Sequence, residues 1–182
     1  MTVRLDLDAS GPAVVSTGLP FFDHMLAQLG KHSGTTLEVQ ATGDLHVDAH
    51  HTVEDVGIVL GEALAEALAD KAGVRRFACA SVPLDESLVN VALDLSGRPY
   101  LRYDVELGAD SAPLGSPPFE PQLAEEFWRA FVNGAKVTLH LTLAYGRNPH
   151  HILEASFKAT ASALRDAIRV DGALVPSTKG SL

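Results

Sequence analysis

The stretch His50-His51-Thr52-Val53-Glu54 returns further along the chain as His150-His151-Ile152-Leu153-Glu154. Each copy opens a helix-favouring segment, from about Ala49 to Ala69 and from about Pro149 to Val170. The text before each copy is related as well. Leu5-Asp6-Leu7 before a Ser-Gly turn matches Leu93-Asp94-Leu95 before Ser96-Gly97, and Thr36-Leu37 matches Thr138-Leu139. Self-similarity on this scale points to a duplicated unit.

Periodicity fills in the unit. Val3 to Leu7 and Ala13 to Thr17 read as strands around the turn Ala9-Ser10-Gly11-Pro12. Pro20 to His32 reads as a helix with Phe21, Met25 and Leu29 on one face. Thr35 to Ala41 alternates as a strand, with Leu37, Val39 and Ala41 on one side. In the second part, Arg76 to Val82, Leu88 to Leu95 and Tyr100 to Leu107 read as strands. A Ser/Pro-rich loop, Ser111 to Pro121, a helix near Leu123 to Asn133 and a strand Lys136 to Leu143 precede the last helix. The predicted fold class is α+β: a two-layer α/β arrangement from tandem duplication of a β-β-β-α-β-α unit. Residues 1–72 and 73–182 are the two repeats, together one compact catalytic domain. The first unit shows two strands before its helix and the second three, so the first strand of repeat 1 is expected to be missing.

Composition narrows the function. The 182 residues are 46% hydrophobic, enough for a packed interior, and carry a net charge of -9. That charge opposes nucleic acid as a partner, because phosphate backbones need dense Lys and Arg; a few placed cations can still hold a small phosphorylated ligand. The apolar run Val56 to Leu68 is interrupted by Glu62 and Glu66, so no membrane span is expected. A single cysteine, Cys79, allows no internal disulfide, and no signal peptide precedes the first strand, which together indicate a cytoplasmic protein. Cys79 lies in the apolar run Phe77 to Val82 and is expected to be buried packing.

The paired motifs carry the chemistry. On a helix, residues four apart share a face while adjacent ones diverge by about 100°. One motif therefore offers ligands in two directions, which suits a metal held between elements or subunits. Imidazole with carboxylate favours Mn, Fe, Co, Ni or Zn. The spacing is not the His-Glu-x-x-His of zinc proteases, whose glutamate sits between the ligands. Further donors are His24, with Asp23 beside it as an expected supporting partner, and His140, on a strand and opposite Leu139 and Leu141. His32 and His46 have no repeat counterpart and are read as structural or solvated.

Five strings together resemble the imidazoleglycerol-phosphate dehydratase family, in that family's order and over nearly the whole chain. They are Phe22-Asp23-His24-Met25-Leu26, Gly43 to Asp55, Asp94-Leu95-Ser96-Gly97-Arg98-Pro99, His150-His151-x-x-Glu154-x-x-Phe157-Lys158 and Pro176-Ser177-Thr178-Lys179-Gly180. The resemblance implies repeats with left-handed crossovers and manganese-dependent dehydration of imidazole glycerol phosphate to imidazole acetol phosphate in histidine biosynthesis. It also implies a homo-oligomeric shell of twenty-four subunits built of trimers, or a trimer if assembly is impaired. Two Mn2+ ions per active site are implied, with metal ligands His24, His50, His51, Glu54, His140, His150, His151 and Glu154. The catalytic set is His50, His51, Glu54, His150, His151 and Glu154, and the substrate's phosphate falls to Arg76, Arg98, Lys158, Ser177 and Lys179.

Members of that family begin with a further strand and an Arg-x-Thr-x-Glu-Thr segment ahead of the stretch matching Val3 to Leu7. Its glutamate is the expected acid/base, and its repeat counterpart here is about Glu86. A shortened member with impaired turnover is therefore expected. Two alternatives are a non-catalytic, metal-bridged oligomer and another di-metal enzyme, such as a hydrolase using metal-bound hydroxide.

Overall fold

Alternation along each strand decides which face is covered. In β5 (Ser87–Asp94) Val89, Val91 and Leu93 are buried while Asn90 and Ala92 are exposed; in β7 (Thr138–Tyr145) Leu139 and Leu141 are buried and Thr142 is exposed. A strand with one apolar side needs a cover on that side only, and helices supply it. The computed structural model describes residues 1–108, 111–180 and 182. The remaining elements are β1 (Thr2–Asp6), β2 (Val14–Ser16), α1 (Pro20–Ser33), β3 (Thr36–Gln40), α2 (His50–Leu68), β4 (Phe77–Leu84), β6 (Tyr100–Asp104), α3 (Leu123–Ala135) and α4 (Pro149–Ala167). The two-layer α/β reading holds, and each predicted element forms within a few residues of its expected bounds.

Strand order is β1-β3-β2 in the first sheet and β4-β5-β7-β6 in the second. The registers match as a duplication requires: Leu5 lies opposite Leu37 and Leu93 opposite Leu139, both antiparallel. β2 runs parallel to β3, and β6 parallel to β7, each pair joined through a helix. β1 and β2, adjacent in sequence around Ala9 to Pro12, are thus separated by β3. Among the described residues the first sheet has no strand on the outer edge of β1, where β4 pairs with β5 in the second.

The helices lie between the sheets. α1 packs along α4 and α2 along α3, so each repeat buries its helices against the other's. Phe22, Phe119, Phe127, Trp128 and Phe157 interlock at the centre, with ring centroids 4.7–5.7 Å apart in successive pairs. Such contacts combine large area with favourable edge and offset geometry. The α2–α3 seam is closer still. A Cβ added at Gly57, Gly61 or Gly134 would stand 2.7, 2.4 or 2.6 Å from the carbonyl oxygens of Phe127, Phe131 and Ile58. Only hydrogen fits there, and the two backbones touch directly.

Cys79 departs from expectation: it is exposed. β4 alternates, with Ala78, Ala80, Val82 and Leu84 packed toward the core, which leaves Phe77, Cys79 and Ser81 on the open face. No helix among the described residues is long and apolar enough to cross a membrane.

Candidate functional site

Both histidine motifs begin their helices in the same way. Asp48 Oδ1 accepts the His50 N–H at 2.9 Å, and Asn148 Oδ1 accepts the His150 N–H at 3.0 Å. An Asp or Asn two residues ahead thus engages an otherwise unpaired donor of the first turn. Pro149 at the first helical position suits α4 further. The adjacent rings then diverge, with interplanar angles of 89° for His50 and His51 and 84° for His150 and His151.

In the second motif this geometry gathers donors. Glu154 Oε2 lies 3.1 Å from His150 Nε2 and 3.4 Å from His24 Nε2, which α1 brings across from the first repeat. Ligand atoms of His24, His150 and Glu154 all lie within 4.8 Å of one another. The carboxylate is sunk, 11% exposed, while the His24 and His150 rings are 46% and 43% exposed, so the cluster opens outward. Burial pushes the Glu154 carboxyl up, but the Lys158 hydrogen bond and charge, with His24 and His150, outweigh it and hold the group below its ordinary value. Lys158 Nζ lies 2.6 Å from Glu154 Oε1. Two imidazoles and one carboxylate converging on a common point fit a divalent first-row ion.

The other proposed ligands lie apart. The His50 ring and the Glu54 carboxylate make no hydrogen bond or ion pair among the described residues, and Glu54 is exposed. His51 Nδ1 is 2.8 Å from Asp44 Oδ2, and His151 Nδ1 is 2.7 Å from Glu86 Oε2. Each bond raises its imidazole above the ordinary pKa. His140 sits on the open face of the second sheet, its ring 5.6 Å from that of Tyr100, with helix α4 on the opposite face. Asp23, expected beside His24, instead accepts the Thr17 N–H at 2.8 Å and the Thr17 hydroxyl at 2.6 Å, fixing the entry to α1. His32 bonds Gln28, and His46 is exposed.

Glu86 is equally committed. Besides the His151 ring, it accepts the N–H groups of Asn148 at 2.8 Å and Arg147 at 3.1 Å. The His151 bond first, and then the backbone donors, hold its carboxyl far below the usual range. A carboxylate so fixed is an anchor and a poor proton donor.

The cationic residues divide. Arg76, Arg98, Ser177 and Lys179 line one cavity of about 610 Å³ with Phe77, Pro176 and Thr178. Arg76 is largely spent within it: Nε and Nη2 donate to the Asp94 carboxylate at 2.7 and 3.2 Å, and Nη1 to the Pro176 carbonyl at 2.7 Å. It ties the tail to the sheet, while Arg98 and Lys179 are exposed and make no ion pair among the described residues. Lys158 lies outside this cavity, beside Glu154. Phe77 and Asp94 border an adjoining groove that also holds Thr138 and His140, so the cavity and His140 share one open sheet face. Asp44 and the Lys158–Glu154 pair were not read from the sequence. The Glu-x-x-x-Lys spacing was a visible signal for the second.

Comparison with known proteins gives the chain's relatives. The pattern of the family described as imidazoleglycerol-phosphate dehydratase matches residues 17–164. The imidazoleglycerol-phosphate dehydratase of an Anaeromyxobacter species is 54% identical over all of this chain and 87% of its own length. That of Methanoculleus marisnigri is 52% identical over all of this chain and 93% of its own. Among solved structures, the Staphylococcus aureus enzyme has a TM-score of 0.83 at 39% identity, covering 92% of each chain. IGPD from Pyrococcus furiosus gives 0.84 at 36%, covering 100% of this chain and 94% of its own.

Proposed function

This chain belongs to the imidazoleglycerol-phosphate dehydratase family, hydro-lyases of histidine biosynthesis, and from that premise we propose a manganese-dependent enzyme whose active sites are completed by neighbouring copies. Its substrate is imidazole glycerol phosphate, its product imidazole acetol phosphate, and its compartment the cytoplasm. Residues 1–72 and 73–182 act as two copies of one unit within a single catalytic domain. The observation that carries the reading is the convergence of His24, His150 and Glu154, while His50, His51, Glu54, His140 and His151 offer donors directed elsewhere. A site with two ions therefore draws donors from more than one copy, in a family-like shell of trimers or in a trimer.

In the reaction one C–H and one C–O bond break, water leaves, and the resulting enol becomes the product's ketone. The difficulty is the proton, which sits on carbon beside an imidazole and is barely acidic. When bound, the metal ions supply a Lewis-acid sink for the electron density that its removal places on the ring. His24, His150 and Glu154 would hold one such ion, and Lys158 keeps the Glu154 carboxylate charged and oriented. Arg98, Lys179 and Ser177 would hold the phosphate, with Arg76 presenting their segment through Pro176 and Asp94. The leaving oxygen needs a proton from a positioned acid. Glu86, already engaged by three hydrogen bonds, does not supply it. In the described residues β1 has no neighbour equivalent to β4, whose turn presents Glu86, and we expect residues 1–182 alone to turn over slowly. Dehydration should be assayed with added Mn2+, beside the same chain extended by a strand that pairs with β1 and carries a glutamate. Turnover should rise about 10²–10⁴-fold in the extended chain, the range for a general acid/base. Full turnover by residues 1–182 would overturn the impairment, and no Mn2+-dependent turnover in either would overturn the function.

A further inference from the structure

Two carboxylates from unrelated places in the chain meet the same atom of equivalent histidines. Asp44 comes from the loop between β3 and α2, seven residues before His51, and its Oδ2 stands 2.8 Å from His51 Nδ1. Glu86 comes from the β4–β5 turn, 65 residues before His151, and its Oε2 stands 2.7 Å from His151 Nδ1. The surrounding sequences share nothing that would produce this contact twice. Among the described residues no carboxylate meets Nδ1 of His50 or His150, the first histidine of each motif; the Glu154 contact of His150 is through Nε2.

We propose that Asp44 and Glu86 are matched positioning residues, each taking the Nδ1–H of the second histidine in its motif and leaving Nε2 as the outward metal donor. This rests on the metal-dependent reading above. A neutral imidazole carries one N–H, so a carboxylate that holds it at Nδ1 fixes both the tautomer and the ring plane. It also makes Nε2 a stronger donor, an arrangement common behind metal-bound histidines. The surroundings of Nε2 agree. At His151 it faces the Asn148 amide nitrogen at 3.5 Å, a donor that a bare ring nitrogen accepts, while the Asp85 carboxylate, at 3.6 Å, stands beyond hydrogen-bond reach. At His51, 61% exposed, Nε2 has no protein partner among the described residues.

Each carboxylate is itself held. The Arg147 and Asn148 N–H groups fix Glu86 through its other oxygen. The Asp44 loop is pinned differently, because Gly43 lies against α2 so closely that an added Cβ would stand 2.1 Å from Thr52 Oγ1, next to His51. Gly43→Ala should therefore displace Asp44 while leaving its carboxylate intact.

The test compares wild type with Asp44→Ala, Asp44→Asn, Glu86→Ala, Glu86→Gln and Gly43→Ala. Histidine ¹⁵N resonances of the metal-free protein, at a pH where every ring is neutral, report the tautomer. Titration with Mn2+ alone, followed by electron paramagnetic resonance, reports affinity, and thermal unfolding reports fold. Expected are Nδ1–H tautomers for His51 and His151 in wild type, lost at one ring in each alanine variant. Mn2+ binding should weaken by about 10–100-fold, the usual cost of losing such a partner. The Asn and Gln forms, which still accept a hydrogen bond but lack charge, should fall between, and the Asp44 and Glu86 variants should melt within a few degrees of wild type. Unchanged Mn2+ affinity in the alanine variants, with wild type binding normally, would overturn the positioning role and leave the metal reading standing. Affinity losses that follow the melting temperature would reduce the carboxylates to structural contacts and overturn it too. A wild type that does not bind Mn2+ would sink both readings.

Discussion

The same five-residue motif stands in two different states in one molecule. At the start of α4, Glu154 is buried, locked to Lys158 and faced by His24 and His150. At the start of α2, Glu54 is exposed and makes no such contact. The offset that carries Thr36 onto Thr138 places Glu126 of α3 where α1 has His24, and Glu38 of β3 where β7 has His140. The offset that carries His50 onto His150 places Ile58 where α4 has Lys158. Of His24 and His140, each repeat thus keeps one and has a carboxylate at the other's position. A duplicated sequence has produced complementary halves, one that gathers donor side chains and one whose donors stand apart.

That contrast can be broken most severely at the carboxylates. Glu154→Gln and Glu54→Gln should each lower dehydration by about 10²–10⁴-fold, if each ligand supports several kcal/mol of charge stabilisation. Paired assays would show whether the open motif matters as much as the closed one, and an active Glu54→Gln enzyme would make the first motif a bystander. Assembly sharpens the same point. Under the proposed assembly, chelation, or His50→Ala with His150→Ala, should reduce particle mass by light scattering, because the outward donors would bridge copies only through metal. An unchanged mass after complete metal removal would defeat the bridging role.

A smaller effect is expected away from the motifs. Arg98→Ala and Lys179→Ala should each weaken a phosphorylated imidazole ligand by about 1.5–3 kcal/mol, the range for charge-assisted hydrogen bonds, while bare imidazole binds as before. Equal loss for both ligands in calorimetry would assign these residues to the fold. The smallest effects come from exchanging the repeats' own residues. Lys158→Ile, which strands a mostly buried carboxylate, should destabilise by about 1–3 kcal/mol. Ile58→Lys should add no more than about 0.5 kcal/mol, since its partner Glu54 is exposed. Denaturant melts of the two variants would measure the asymmetry directly.

The architecture was legible because apolar spacing marked every element, and the matching text of Leu5 to Leu7 with Leu93 to Leu95 revealed the duplication. What escaped the sequence was direction across a sheet or between helices. The run Phe77 to Val82 is apolar or small at nearly every position, so it gives no alternation, and Cys79 fell on the open face unannounced. Asp23 sits beside His24 in sequence, yet the helix start needed its carboxylate at Thr17. Glu86 and Asp44 reach their histidines from separate loops, a convergence that spacing alone does not encode. The gathering of Arg76, Arg98, Ser177 and Lys179 likewise depended on a tail that returns to the sheet through Gly73 and Val74.

The bare seam between α2 and α3 has a consequence for how copies could tile. With Gly57, Gly61 and Gly134 in direct backbone contact, the two halves meet at a fixed spacing that no side-chain rotamer can adjust. The protomer therefore behaves as a stiff facet whose donor-bearing sides keep a constant angle to one another. In a closed shell of many such facets, a small angular error would accumulate with each added copy until the last could not be seated. In the proposed shell, the tolerance for closure would rest on three hydrogen atoms standing where other residues would carry a methyl group.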